Sequence, residues 1–113
     1  MTNFLYQVSV RVLNRAGCDL PSEFAGAVIA CYVAAVDPLS AVKRAKLAVE
    51  KLNYSFDDLA SDQVLELDIG KWADYVQRVW PEAADQLPTQ DELPDLVKRG
   101  VVFLGPAIGF VSR

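Results

Sequence analysis

The chain has 113 residues, 52% of them hydrophobic and 23% charged, with a formal net charge of −4. That is the balance of one globular domain over residues 1–113, too short for two domains and too apolar for a disordered chain. Histidine is absent, which excludes Ser-His-Asp and Cys-His nucleophilic sites and any imidazole metal ligand or general base.

Residues Phe4 to Leu13 alternate: Phe4, Tyr6, Val8, Val10 and Val12 against Gln7, Ser9 and Arg11. This period of two predicts a half-buried strand with one wet face. Asn14-Arg15-Ala16-Gly17 breaks it, and Pro21 prolongs the loop. Gly26 to Val36 is apolar on both faces, with small alternate residues. It reads as a central strand, covered on one side by a helix and on the other by little or by a partner. A buried helix is the competing reading. The β-branched residues and the stop at Asp37-Pro38 oppose it.

Asp37 followed by Pro38 signals a helix start, a capping carboxylate before proline at the first helical position. The helix runs to about Leu52, with Leu39, Val42, Ala45, Val49 and Leu52 as its buried stripe and Ala41 and Ala48 at the edge. Lys43, Arg44, Lys46, Glu50 and Lys51 are expected in water, and Asn53 suits a left-handed terminator. Tyr54–Asp58 and Val64–Asp68 read as one strand broken by a bulge or turn near Ala60-Ser61-Asp62.

Asp68 is placed to cap the next helix, in which Ile69, Trp72, Tyr75, Val76, Val79 and Trp80 recur at helical spacing. Trp72 and Val76 are assigned to the core, and Trp80, at the helix end before Pro81, to a partly exposed position. Residues 81–94 are proline-spaced and acidic, hence irregular. Pro94 opens a short helix to Arg99, closed by Gly100. Val101–Leu104 and Ala107–Val111 are expected as two short strands around Gly105-Pro106, a terminal hairpin.

The order is strand, strand, helix, strand, helix, short helix, strand, strand. It implies an α+β two-layer sandwich: a mainly antiparallel sheet of four to five strands with the two main helices on one face, ferredoxin-like or related in topology. Gly26-Ala27-Val28 and Leu104–Phe110 have the look of motifs, but the latter lacks the Gly-Lys-Ser/Thr of a phosphate loop.

Two cysteines, Cys18 and Cys31, are too few and too oddly spaced for a disulfide framework. Free thiols and a cytoplasmic location follow as expectations. Met1-Thr2-Asn3 lacks the basic start of a signal peptide. The uncharged run Phe24–Val36 is shorter than the ~20 residues of a spanning helix, so no membrane association is expected.

Charge is uneven. Asp57 to Asp95 carries eleven acidic and two basic residues, while both flanks are net basic. The acids serve either as solubilising surface or as a patch for a basic partner. Asp57, Asp58 and Asp62 cluster in a turn, yet without the spacing of a calcium loop, so no metal site is assigned. Lys43, Arg44, Lys46 and Lys51 form a basic helix face without aromatics in an acidic chain, which argues against nucleic acid. Cys18 has no base beside it in the sequence, and an inert loop thiol is the simpler reading.

These observations assign no catalytic residue and no cofactor. The leading expectation is a small non-enzymatic domain that binds another protein through an acidic surface. Its partner-binding candidates are Trp80, Asp85, Asp91, Glu92 and Asp95. A sharper form is an inhibitor or immunity-type protein that blocks a basic partner such as a nuclease. The alternatives are a small-molecule binder or histidine-independent enzyme, with Tyr6, Arg11, Tyr32 and Asp68 as its polar groups, and a structural subunit of a homo-oligomer.

Overall fold

The computed structural model describes residues 2–17, 20–60 and 64–111. Strand β1 (Phe4–Leu13) pairs antiparallel with β2 (Gly26–Ala35) over ten residues, from Phe4 opposite Ala35 to Leu13 opposite Gly26. The loop between them is tied by Asn14, whose side-chain amide donates to the carbonyls of Pro21 (3.0 Å) and Phe24 (2.9 Å). Helix α1 (Pro38–Lys51) then crosses β1 to reach β3 (Ser55–Leu59), which pairs with the end of β1. The short β4 (Leu65–Leu67) pairs with the start of β1. One interrupted strand beside β1 is therefore what the structure has, although the turn residues 61–63 lie outside the described residues.

From β4 the chain runs through a single 3-10 turn, Ile69–Lys71, into α2 (Trp72–Val79). A 3-10 helix, Pro81–Gln86, and α3 (Leu93–Lys98) follow, and β5 (Val102–Phe110) pairs antiparallel with β2. The hairpin β1–β2 occupies the middle of the five-stranded sheet, in the order β3-β1-β2-β5. That is not the ferredoxin-like order.

The layering also differs from the two-layer expectation. One core holds Val8, Val10, Val12, Ile29, Cys31 and Val33 against Ala41, Ala45 and Val49 of α1. A second, on the opposite face, holds Leu5, Ala30, Tyr32 and Ala34 against Trp72, Val76, Leu87, Leu93 and Val97. The helices thus flank the sheet on both faces. The reason is topological: α1 already covers one face, so the connection from β4 at one edge to β5 at the other passes over the face still open. The doubly apolar β2, with nine of its ten residues buried, is the sequence's trace of this arrangement.

Two local expectations are corrected. The inner stripe of α1 is Ala41, Ala45 and Val49, while Leu39 and Leu52 are exposed. Small side chains at four-residue spacing let the helix lie close to the sheet, so the helix turns its alanines inward. The two terminal strands are one strand, β5, whose register slips between Ile29 and Cys31, opposite Gly105-Pro106. A bulge absorbs the proline, which has no N–H to give to the ladder.

The two motif-like stretches face each other: Gly26 opposes Phe110, Ala27 opposes Gly109 and Val28 opposes Ile108. A Cβ on Gly26 would lie 2.1 Å from the Val12 carbonyl oxygen and 2.6 Å from the Phe110 ring. Glycine is there because backbone and an aromatic ring close over it.

Candidate functional site

The second core is the most chemically furnished part of the molecule. The Tyr32 ring stacks on Phe103 with centroids 5.2 Å apart and meets Trp72 and Tyr75 edge-on. Its hydroxyl lies 2.7 Å from the Tyr75 hydroxyl and accepts from the Trp80 indole N–H at 2.6 Å. Trp72 donates its indole N–H to the Pro88 carbonyl (2.8 Å). Among the described residues no buried side-chain polar atom lacks a partner.

Burial, followed by the bond with Tyr75, pushes the Tyr32 hydroxyl far above its ordinary range. Burial also pushes the Cys31 thiol up to about 12. Both groups therefore keep their protons at neutral pH, as buried neutral side chains do. Their job is to satisfy and fill a core. Cys18 lies outside the described residues.

The polar groups considered for a ligand site do not converge. Tyr6 packs on the α1 face and Tyr32 on the opposite one. Arg11 pairs with Asp57 (3.1 Å) and sits 4.7 Å above the Phe110 ring. Asp68 accepts from the Gly70 N–H (3.0 Å), capping the turn into α2. Asp58 accepts from the Leu59 N–H (2.8 Å), and Asp62 lies outside the described residues. Among the described residues no three acidic or sulfur ligands come together as a metal site would need.

The acidic segment is exposed, but part of it serves the fold. Glu92 accepts from the Thr89 N–H (3.0 Å), and the Thr89 hydroxyl accepts from the Glu92 N–H (3.3 Å). This is the reciprocal pairing of a capping box, and Thr89-Gln90-Asp91-Glu92 is its sequence signature. Gln90 bonds the Ala73 N–H (2.8 Å) and the Ile69 carbonyl (2.6 Å), so it ties the start of α2 to the same turn. Asp95 pairs with Arg99 one turn on (3.3 Å). Asp85 and Asp91 are exposed without such a contact among the described residues. Trp80 turns its N–H inward to Tyr32, and its ring borders a hollow of about 380 Å³ with Val79, Pro81 and Pro106.

A surface that sequence reasoning missed lies at the other edge of the sheet. Among the described residues β5 pairs only with β2, and none of its nine residues is buried. It carries no charged side chain. Beside it a groove of about 410 Å³ runs between β5 and the C-terminal half of α1. Val102, Phe103 and Leu104 line one side, and Leu47, Ala48 and Leu52 line the other. Leu47 is 58% exposed and Leu52 50%.

The groove's charged residues are Arg44 and Lys51, both basic. Arg44, expected in water, instead donates to the carbonyls of Ala34 and Gly100, which ties α1 to the ends of β2 and of the α3–β5 turn. The signal for this surface was Leu47 amid charged neighbours, together with a strand of nine uncharged residues. No helix among the described residues is long and apolar enough to cross a membrane. No family model matches the chain, and neither a curated protein nor a solved structure matches it.

Proposed function

We propose that this domain acts by binding another protein, and that the contact is made at the β5 edge and the groove beside it. The observation that carries the reading is the nine-residue, uncharged edge strand standing next to exposed Leu47 and Leu52. Proteins normally blunt a sheet edge with charges, proline or a bulge, because its unpaired N–H and C=O groups attract other chains. Here Pro106 and the bulge blunt the middle of the strand, and among the described residues no charge, proline or further strand blunts Val102–Leu104. Exposed apolar side chains flanking an open edge make a surface with a partner a natural use of it.

A second reading keeps the contact at the acidic segment, in the manner of an inhibitor of a basic protein. Exposed Asp85 and Asp91, which make no ion pair among the described residues, favour it. The two are separated by affinity capture from native lysate with a photo-cross-linking residue at position 47 or position 85. The expected result is one stoichiometric protein cross-linked from position 47. The cross-link should be lost when Leu52→Asp is added, and co-purification lost when Leu47→Asp and Leu52→Asp are combined in the chain without the photo-cross-linking residue. A cross-link from position 85 alone moves the contact to the acidic segment. If no protein co-purifies, the protein-binding reading falls and a small-molecule binder or a structural homo-oligomer takes its place.

A further inference from the structure

Resting on the protein-binding reading, we infer that the groove receives an extended segment of the partner, added as a strand to the Val102–Gly105 part of β5 and bearing a carboxylate toward Lys51 and Arg44. Three observations define this occupant. First, the outer edge of β5 offers N–H and C=O groups at strand spacing, which only another extended backbone can satisfy in series. The bulge and Pro106 end the usable edge, so about four residues of the segment, some 13 Å, pair with it. Second, the groove floor and wall are aliphatic on the α1 side, through Leu104, Leu47 and Leu52. Every second side chain of an added strand points into that groove, so the segment alternates apolar residues with others. Third, the lining charges are Arg44 and Lys51 with no acid among them, in a chain whose net charge is −4. An acidic side chain or a terminal carboxylate complements them.

The same charge argument disfavours a second copy of this chain. A two-fold pairing of β5 with itself sets two grooves side by side whose lining charges are all basic.

The test uses the full chain and a displayed library of random dodecapeptides. Expected are enriched sequences that alternate apolar residues and carry Asp, Glu or a free C-terminal carboxylate. A synthetic enriched peptide should lose about tenfold in affinity on Lys51→Glu and more on Leu47→Asp. Methylation of alternate backbone amides in the peptide should abolish binding on one set of positions and spare it on the other. Lys51 and Leu47 are both exposed, and the methylated peptides leave the protein untouched, so misfolding cannot imitate the result.

Enrichment of no peptide, or of peptides indifferent to Leu47→Asp and to amide methylation, overturns the inference. So does a chain that sediments as a dimer and is made monomeric by Leu47→Asp, since a second copy then fills the groove. The protein-binding reading is tested separately: a captured protein that cross-links from position 47 but docks as a folded surface, indifferent to the peptide, sinks strand addition and leaves that reading standing, whereas no captured protein at all sinks both.

Discussion

The two faces of the sheet are built on different principles. Directly beneath α1 the first face is aliphatic and small, Ala41, Ala45 and Val49 against Val8, Val10, Val12, Ile29, Cys31 and Val33, with Tyr6, Tyr54 and Phe56 as the aromatic members of the same core. Its polar side-chain atoms are the Cys31 thiol and the hydroxyls of Tyr6 and Tyr54. The opposite face is aromatic: Tyr32, Trp72, Tyr75 and Phe103 interlock by ring geometry, and their polar tips are closed by Tyr75, Trp80 and the Pro88 carbonyl. The first face depends on closeness, the second on the filling of volume with every hydrogen bond made. It follows that they should fail to opposite insults, the aromatic face to removal and the aliphatic face to addition.

Removal on the aromatic face has the largest expected effect. Trp72 is 1% exposed and touches Tyr32, Tyr75 and Phe103. Trp72→Ala should cost about 3–5 kcal/mol by chemical denaturation, the usual penalty for a buried aromatic. It also orphans the Pro88 carbonyl, and with it the hold of α2 on the turn before α3. A loss below about 1 kcal/mol would mean that the aromatic face is not a core, and the contrast between the faces would collapse.

Addition on the aliphatic face comes next. Ala45 has no exposed surface and lies in the middle of the α1 stripe. Ala45→Leu should cost about 1–3 kcal/mol, because the added carbons have no void to enter and the helix must lift. A neutral or stabilising outcome in the same denaturation series would show slack beneath α1, and smallness would no longer explain the face.

How far the sequence could be read follows the same division. The strand at Phe4–Leu13, the Asp37-Pro38 start and the stripe of Trp72 and Val76 are local patterns, and each element appears where expected, although Phe4 is exposed and the face of β1 expected to be wet carries the buried Leu5 of the second core. Which face receives which helix is a long-range fact, and no local period encodes it. The doubly apolar β2 did record that both faces are covered, but not that the chain covers the second face itself. Periodicity also favoured Leu39 and Leu52 as inner residues on size, whereas closeness to the sheet selected alanine. Glycine-proline at residues 105 and 106 suggested a hairpin, because a turn and a strand bulge use the same residues. The acidic partner-binding candidates were chosen as charges without folding work. Thr89 with Glu92, at capping-box spacing, was the signal that one of them has some.

The smallest expected effect concerns the caps of the two helical layers. Asp37 accepts from the Ser40 N–H (2.7 Å) at the start of α1, and those bonds hold its carboxyl below the usual carboxylate range. Glu92 is lowered in the same way by its bonds to Thr89 at the turn into α3. A carboxyl depressed in the folded state stabilises that state fully above its unfolded pKa, near 3.9 for Asp and 4.3 for Glu. The contribution is lost as pH falls through the lower folded value. Melting curves of Asp37→Ala and Glu92→Ala against the parent should therefore differ most near neutral pH and converge with it as the solution is acidified below about pH 4. Asp37→Asn isolates the charge, because an asparagine cap keeps an acceptor for the Ser40 N–H and does not titrate. It should melt close to the parent at neutral pH and show less dependence on acid. The Asp37 difference should exceed the Glu92 difference, since Asp37 opens a helix of fourteen residues and Glu92 one of six whose Leu93 and Val97 are already anchored in the aromatic core. A gap between parent and Asp37→Ala that stays constant down to pH 2 would show that the cap works through its hydrogen bond and that the carboxylate charge adds nothing to it, and no gap at any pH would show that α1 is held by its alanine stripe alone.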